Sequence, residues 1–113
     1  MHRDADGTYR ACVKGAPLEL LARCDAIDRE GTGTPLTEAS RAEVVAAADD
    51  MAGQGLRVLA VARRRVPGPR PALGDLESEL TLLGLSGMYD PPRPEVRDAV
   101  DACRRAGIRI VMV

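Results

Sequence analysis

The sequence predicts an α/β (α+β) fold, in which strands and helices of ordinary length share one small chain. Some apolar stretches alternate or run continuously at strand length, and others place apolar residues at helical spacing. The predicted strands cover 9–14, 56–62, 80–88 and 108–113, and the predicted helices cover 17–24, 38–52 and 95–106. At 113 residues the chain is one small domain or pieces of two.

Composition argues against several classes of function. The net charge is −1, and no apolar run reaches the roughly 18 residues that a bilayer-spanning helix needs. We therefore expect neither nucleic-acid binding nor direct membrane contact by this segment. The one histidine, His2, lies near the N-terminus, and the three cysteines form no CxxC pair. That leaves little for a zinc cluster or a Ser/His/Asp triad, and we expect no metal site within the chain.

Lys14 is the only lysine of the chain, and it ends the first predicted strand. Gly15 and Ala16 follow, and Pro17 is well suited to be the first residue of a helix. Glycine permits a tight turn and a close approach of the backbone to a ligand. A strand, a lysine, a glycine turn and a helix N-terminus together favour a bound anion. Taken alone, the stretch also fits an ordinary strand-to-helix turn with an exposed lysine.

Local signals define the middle of the chain. Thr37 suits the N-cap of the helix 38–52, whose apolar stripe is typical of a face packed against a core and not against a cofactor. Residues 25–35 carry glycines, threonines and a proline, and predict a surface loop or hairpin. The proline-rich residues 67–71 predict a stiff, solvated loop.

The run 56–62 is almost continuously apolar and predicts a strand buried on both faces. Arg57 interrupts it near its first residue. A guanidinium at the mouth of a buried strand either reaches solvent or points at an anion. The arginines at 63–65 predict a solvated strand end, and three of them are too few to indicate a nucleic-acid site.

A rigid connector follows the third strand, because three prolines within 91–94 fix the backbone directly after Asp90. A helical pattern begins at Glu95 and ends at Gly107. Residues 108–113 then predict a buried strand. Because a domain rarely ends on its most hydrophobic strand, we expect the chain to be a piece of a longer protein.

These stretches resemble, in order and in spacing, the P-type cation-transporting ATPases, the family of the calcium pumps. The segments that carry the resemblance are 13–24, 56–62 and 90–112. The resemblance implies that residues 1–89 are the C-terminal half of a nucleotide-binding domain, a mainly antiparallel sheet flanked by helices. It implies that residues 90–113 are the hinge and the first helix and strand of a haloacid-dehalogenase-like Rossmann domain, the phosphorylation domain.

The resemblance also implies which residues meet ATP. In the family, the lysine of the Lys-Gly-Ala stretch lines the ATP pocket, and the arginine of the Leu-Arg-x-Leu-Ala segment approaches the phosphates. The leucine two positions later packs near the base. These roles fall on Lys14, with Gly15 and Ala16 beside it, and on Arg57 and Leu59. The implied hinge residues are Asp90, Pro91, Pro92 and Arg93.

As a whole, the resemblance implies a cytoplasmic segment of a membrane pump that couples ATP hydrolysis to cation transport. Its partners would be ATP, bound as Mg-ATP in the parent, and the remaining domains of the pump. The family's phosphorylated aspartate and its magnesium-binding residues have no counterpart here, so we expect the isolated chain to be inactive.

Two other interpretations remain open. The chain could be a free-standing module that binds a nucleotide or a protein. A remnant of a haloacid-dehalogenase phosphatase is less favoured, because it needs an Asp-x-Asp motif at the end of a strand and the chain has none in that position.

Overall fold

The computed structural model of the chain describes residues 2–3, 7–66, 68 and 76–111. These residues form a mixed six-stranded sheet and three helices, which confirms the predicted α+β class. The strands are β1 (His2–Arg3), β2 (Tyr9–Gly15), β3 (Cys24–Arg29), β4 (Thr32–Pro35), β5 (Arg57–Val66) and β6 (Leu80–Met88). The helices are α1 (Pro17–Leu21), α2 (Glu38–Gly53) and α3 (Val96–Arg105).

The sheet has the strand order β1-β2-β5-β6-β3-β4. Neighbouring strands run antiparallel, as predicted, except that β3 and β6 run parallel. The predicted hairpin of residues 25–35 is confirmed, because β3 and β4 pair directly with each other. The parallel pair arises because the chain crosses through α2 and β5 before β6 returns beside β3.

An irregularity in the pairing of β5 with β6 determines which side chains of β6 face the helices. Val61 lies opposite Gly84, whereas the next residue of β5, Ala62, lies opposite Leu82. The extra residue is a β-bulge, and Gly84 has a φ of 152°, which a side chain would disfavour. The bulge therefore explains the glycine, and it leaves both Leu82 and Leu85 on the same face of the sheet.

The core lies between one face of the sheet and the helices α1 and α2. Its centre consists of the fully buried side chains Ala60, Ala62, Leu80 and Leu82, over which α1 packs two leucines. From α2, Val44 and Val45 pack against the same cluster, and Ala48 is buried. The interpretation of the α2 stripe as a core-facing surface is therefore confirmed.

The first helix is shorter than predicted. It begins at Pro17 but ends at Leu21, and Cys24 already belongs to β3. The guanidinium of Arg41 in α2 donates to the carbonyl oxygens of Leu21 and Cys24, each at 2.7 Å. The bond to Leu21 satisfies a carbonyl that the end of α1 leaves without a partner, and the bond to Cys24 ties α2 to the first residue of β3. Burial raises the pKa of the Cys24 thiol, against an opposing effect of Arg41.

The second helix has the predicted N-cap. The Thr37 hydroxyl accepts a hydrogen bond from the backbone N–H of Ser40 at 3.2 Å. Replacing Thr37 with alanine should lower the free energy of unfolding by about 1 kcal/mol, because one helical N–H loses its partner. Urea unfolding followed by circular dichroism measures this loss. Thr32→Ala, an exposed threonine of β4, is the control and should change it by less than half as much; equal effects would contradict the capping role.

The strand 56–62 differs from its prediction in extent and in burial. It runs from Arg57 to Val66, so the arginines at 63–65 lie within it and do not form a departing end. It is buried on one face only, because Leu59 and Val61 are half-exposed on the side away from the helices. Of the predicted loop 67–71, only Gly68 falls within the described residues.

The predicted C-terminal strand is wrong for the part that is described. The helix α3 ends as expected, with Gly107 at a φ of 72° and the N–H of Ile108 bonded to the carbonyl of Cys103 at 2.9 Å. Residues 108–111 are irregular and pair with no strand of the described chain. A strand needs a neighbour to satisfy its backbone groups, and no strand of the described residues pairs with this segment. Residues 112–113 lie outside the described range.

None of the helices in the described residues is long and apolar enough to cross a membrane.

Candidate functional site

Lys14 lies on the face of the sheet that α1 and α2 leave uncovered. Its chain neighbours Val13 and Gly15 lie opposite Ala62 and Ala60, whose side chains are fully buried beneath the helices. Because successive residues of a strand point to opposite faces, the side chain of Lys14 points away from the helices. It is exposed on this uncovered side, which we call the open face.

Arg57 and Leu59 share the open face with Lys14. In the ladder of β2 with β5, Lys14 lies directly opposite Val61. Leu59 and Arg57 follow Val61 at two-residue steps along β5, so their side chains point to the same side. At a rise of ~3.3 Å per residue, Arg57 lies about 13 Å along the strand from Val61. The structure therefore brings three predicted residues into one row, with a cation at each end and Leu59 between.

The two cations of this row differ from most charged residues of the sheet in how they are paired. Across the described residues, neither Lys14 nor Arg57 takes part in a hydrogen bond or an ion pair. Several other arginines of the sheet are paired, for example Arg63 with Asp28 and Arg64 with Glu79 at 2.7 Å. Among the described residues, no carboxylate forms an ion pair with either cation, so both charges remain available to an external anion.

Gly15 and Ala16 occupy a different environment from the one predicted. Gly15 is the last residue of β2, lies opposite Ala60 and does not have a positive φ, so no tight turn requires a glycine there. A Cβ at Gly15 would meet nothing within 4 Å. Both residues line a cavity of about 140 Å³ beside α1.

This cavity is not suited to an anion. Glu19 and Glu77 line it together with Lys14 and Arg23, and Arg23 is bound to Glu77. The helix α1 has five residues and carries Glu19 in its first turn, so its N-terminus adds little positive potential. The predicted helix N-terminal anion site thus finds no support in the structure, and the open face is the better candidate.

The predicted hinge residues are not part of this row, but they follow the end of β6 that lies beside Arg57. Asp90, Pro91, Pro92 and Arg93 are exposed and irregular between β6 and α3. Met88, two residues before Asp90, is the ladder partner of Arg57. The connector therefore leaves the sheet beside the arginine end of the row.

Ser86 is a site residue that the sequence did not indicate. It lies opposite Leu59, which places its exposed hydroxyl on the open face in the middle of the row. A hydroxyl there can donate to or accept from a bound ligand. Alternation along β6 could not reveal this position, since the bulge at Gly84 shifts the pattern by one residue. Among the described residues, no three metal-ligating side chains are grouped to hold a metal ion.

Together, the fold and the site define an α+β domain with helices on one face of its sheet and the row of Lys14, Leu59 and Arg57 on the other. Residues 1–95 match the family model of the P-type ATPase cytoplasmic domain N. The chain therefore belongs to the P-type ATPase family.

Individual relatives agree with this assignment. The chain is 45% identical over 102 residues to a calcium-transporting ATPase of Bacillus subtilis, covering 89% of this chain and 12% of the relative. It is 48% identical over 103 residues to the endoplasmic reticulum-type calcium-transporting ATPase 3 of Arabidopsis thaliana, covering 88% and 10%. It is 43% identical over 111 residues to a cation-transporting ATPase of Synechocystis, covering 96% and 12%. The chain thus spans about a tenth of the length of these relatives.

Proposed function

We propose that this chain is the ATP-binding, non-catalytic part of a P-type ATPase that couples ATP hydrolysis to cation transport. The observation that carries the proposal is the row on the open face, in which Lys14 and Arg57 lie on either side of Leu59 and form no ion pair within the described residues. Phosphate needs cationic donors and a nucleobase needs apolar surface, and the row supplies both.

Each residue of the row has a distinct task. Lys14 offers a compact point charge on a flexible stem, which can follow a phosphate as it moves. Arg57 offers a planar fork that can bind two phosphate oxygens at once. Leu59 and the neighbouring Val61 give a partly buried apolar surface on which a base can lie. Magnesium would enter with the nucleotide, and its protein ligands would belong to other parts of the parent protein.

The domain division is also part of this proposal. Residues 1–89 would form the nucleotide-binding part, and residues 90–113 would form the hinge and the start of the phosphorylation domain. The connector supports a hinge role because it is exposed, rich in proline and attached to the sheet opposite Arg57. Movement of the connector would then affect Arg57 before the other residues of the row. In the parent protein this segment would lie on the cytoplasmic side of the membrane.

Protection of Lys14 from chemical modification tests the proposal. Lys14 is the only lysine, so an amine-reactive reagent can modify only its side chain and the α-amino group. Modification by an amine-reactive reagent, located by peptide mass spectrometry, should slow at Lys14 when millimolar ATP is present and should not slow with adenosine. Protection should be lost in Arg57→Ala and kept in the control Arg97→Ala, an exposed arginine of α3. Unchanged modification of Lys14 in saturating ATP, with the fold intact, would contradict the proposal.

A further inference from the structure

The C-terminal end of α2 is closed by a Schellman motif that leads directly into Arg57. The N–H of Leu56 donates to the carbonyl of Met51 at 3.2 Å. The N–H of Gly55 donates to the carbonyl of Ala52 at 2.9 Å, and Gly55 has a φ of 79°, the left-handed conformation that the motif requires. We call residues 51–56 the α2 cap. Because Arg57 is the next residue, the cap fixes the backbone from which its side chain departs.

The apolar side of the α2 cap rests on Gly87 of β6. A Cβ at Gly87 would lie 2.6 Å from the Met51 Cε and 2.9 Å from the Leu56 Cδ1. Non-bonded carbon atoms pack at about 3.5–4.0 Å, so these two side chains already fill the space that a side chain at position 87 would need. Contact between two such positions is usual in a Schellman motif. Here a glycine on a neighbouring strand receives both of them.

Gly87 lies behind the arginine end of the row, on the other face of the sheet. Met88, the next residue of β6, is the ladder partner of Arg57, which projects from the open face. Because successive residues of a strand point to opposite faces, Gly87 faces the helices. Leu56 lies over Gly87 on that side. The contact that seats the α2 cap and the guanidinium of the row therefore belong to adjacent residues, on opposite faces of the sheet.

The strand pairing alone holds Arg57 weakly. Arg57 is the first residue of β5 and its partner Met88 is the last of β6, so the ladder ends at this pair. Among the described residues, none forms a hydrogen bond or an ion pair with its guanidinium. A fork that binds two phosphate oxygens at once needs a fixed backbone. The seated α2 cap supplies the fixed point that the end of the ladder lacks.

We propose that Gly87 is a positioning residue for the phosphate contact of Arg57. The missing side chain at position 87 lets the α2 cap seat on β6, and the seated cap sets the direction of the guanidinium. This inference rests on the proposed ATP function and adds to it a residue that does not touch the ligand. Arg57→Ala tests the ATP contact and Gly87→Ala tests the seat, so the two can fail separately.

Three glycine-to-alanine variants test the proposal in titrations of the ¹⁵N-labelled chain with ATP at constant ionic strength. Gly87→Ala should weaken ATP binding about threefold or more, because a displaced fork loses one of its two phosphate bonds. Gly55→Ala should act in the same direction, because it strains the α2 cap at a positive φ without a clash among the described residues. Gly53→Ala is the control and should bind ATP like the parent chain. Gly53 ends α2 without a positive φ, and its added Cβ meets no described atom within 4 Å.

Two further readings separate positioning from a merely structural role. The shifts that adenosine causes at Leu59 should be unchanged in Gly87→Ala, because only the phosphate contact is disturbed. The double variant Gly87→Ala with Arg57→Ala should bind ATP like Arg57→Ala alone, because no guanidinium is left to position.

The proposal is overturned if Gly87→Ala weakens adenosine and ATP equally, if its effect adds to that of Arg57→Ala, or if Gly53→Ala weakens ATP binding as much. It is also overturned if folded Gly87→Ala and Gly55→Ala bind ATP like the parent chain while Arg57→Ala binds it more weakly, and the ATP function then stands. If Arg57→Ala leaves ATP binding unchanged, the proposed function fails and this inference fails with it.

Discussion

Replacing Leu82 with alanine is expected to lower the free energy of unfolding by about 3 kcal/mol, because it removes a large side chain from the centre of the core. Leu82 is 0% exposed and lies between Ala62 of β5 and Ile27 of β3, its partners on the two neighbouring strands. Both neighbours are fixed by the pairing of the three strands, so the sheet can close little of the resulting cavity. For a domain of this size such a loss is a large part of the total stability.

Leu83 is the matched control for this substitution. It is the next residue of β6, but its side chain is 40% exposed. Leu83→Ala should therefore cost about 1 kcal/mol or less, since little apolar surface is withdrawn from the core. Urea unfolding curves of the two variants and the parent chain measure both changes. Equal losses for the two leucines would show that the assignment of faces on β6 is wrong.

Replacing Arg41 with methionine is expected to lower the free energy of unfolding by about 2 kcal/mol, because two charge-assisted hydrogen bonds disappear. The substitution keeps the length of the side chain, but the carbonyls of Leu21 and Cys24 lose their donor. Both carbonyls lie where α1 turns into β3, a part-buried place that water reaches poorly. The loss of stability should therefore be confined to the junction of α1 and β3, and α2 should remain folded.

Arg29→Met is the control for this prediction. Arg29 pairs with Glu43 at 3.1 Å, but their side chains are 55% and 68% exposed. Exposed ion pairs contribute little, so this variant should lose less than about 1 kcal/mol. Hydrogen exchange of the Leu21 to Cys24 amides localises the effect of Arg41→Met. The bridging role of Arg41 would be refuted if both arginine variants lost the same stability.

The sequence predicted the elements whose pattern is local. Proline at the start of α1, threonine before α2 and the alternation of β2 each act within a few residues, and the structure has all three. The end of α1 was missed, because the donor that caps it comes from Arg41, twenty residues away in the sequence. The strand predicted at 108–113 is wrong for residues 108–111, because β-branched composition cannot provide a neighbouring strand.

The candidate site could be predicted only in part, for a related reason. The resemblance to the family named Lys14, Arg57 and Leu59, but a sequence does not reveal the register that places two strands side by side. The pairing of Lys14 with Val61 is what puts the three side chains on one face. The sequence did not predict Ser86 as a site residue, because the bulge at Gly84 interrupts the alternation of β6 before this position.

The most direct test of the account is a titration of the chain with ATP, read from the amide signals of Lys14, Gly15 and Leu59. Two phosphate contacts at about 1.5–3 kcal/mol each stand against at least ~4 kcal/mol of lost freedom on association. Neither tyrosine is paired with Leu59: Tyr9 pairs with Val66 at the far end of β2, and Tyr89 follows the last residue of β6, which pairs with Arg57.

We therefore expect a dissociation constant for ATP of about 1 mM or weaker. Arg57→Ala should weaken ATP binding about tenfold or more, the equivalent of one charge-assisted bond, and should leave the weak shifts caused by adenosine unchanged. Arg97→Ala, the control in α3, should bind ATP like the parent chain. Saturable ATP binding that is the same in all three proteins, or micromolar binding that survives Arg57→Ala, would contradict the proposed role of the row.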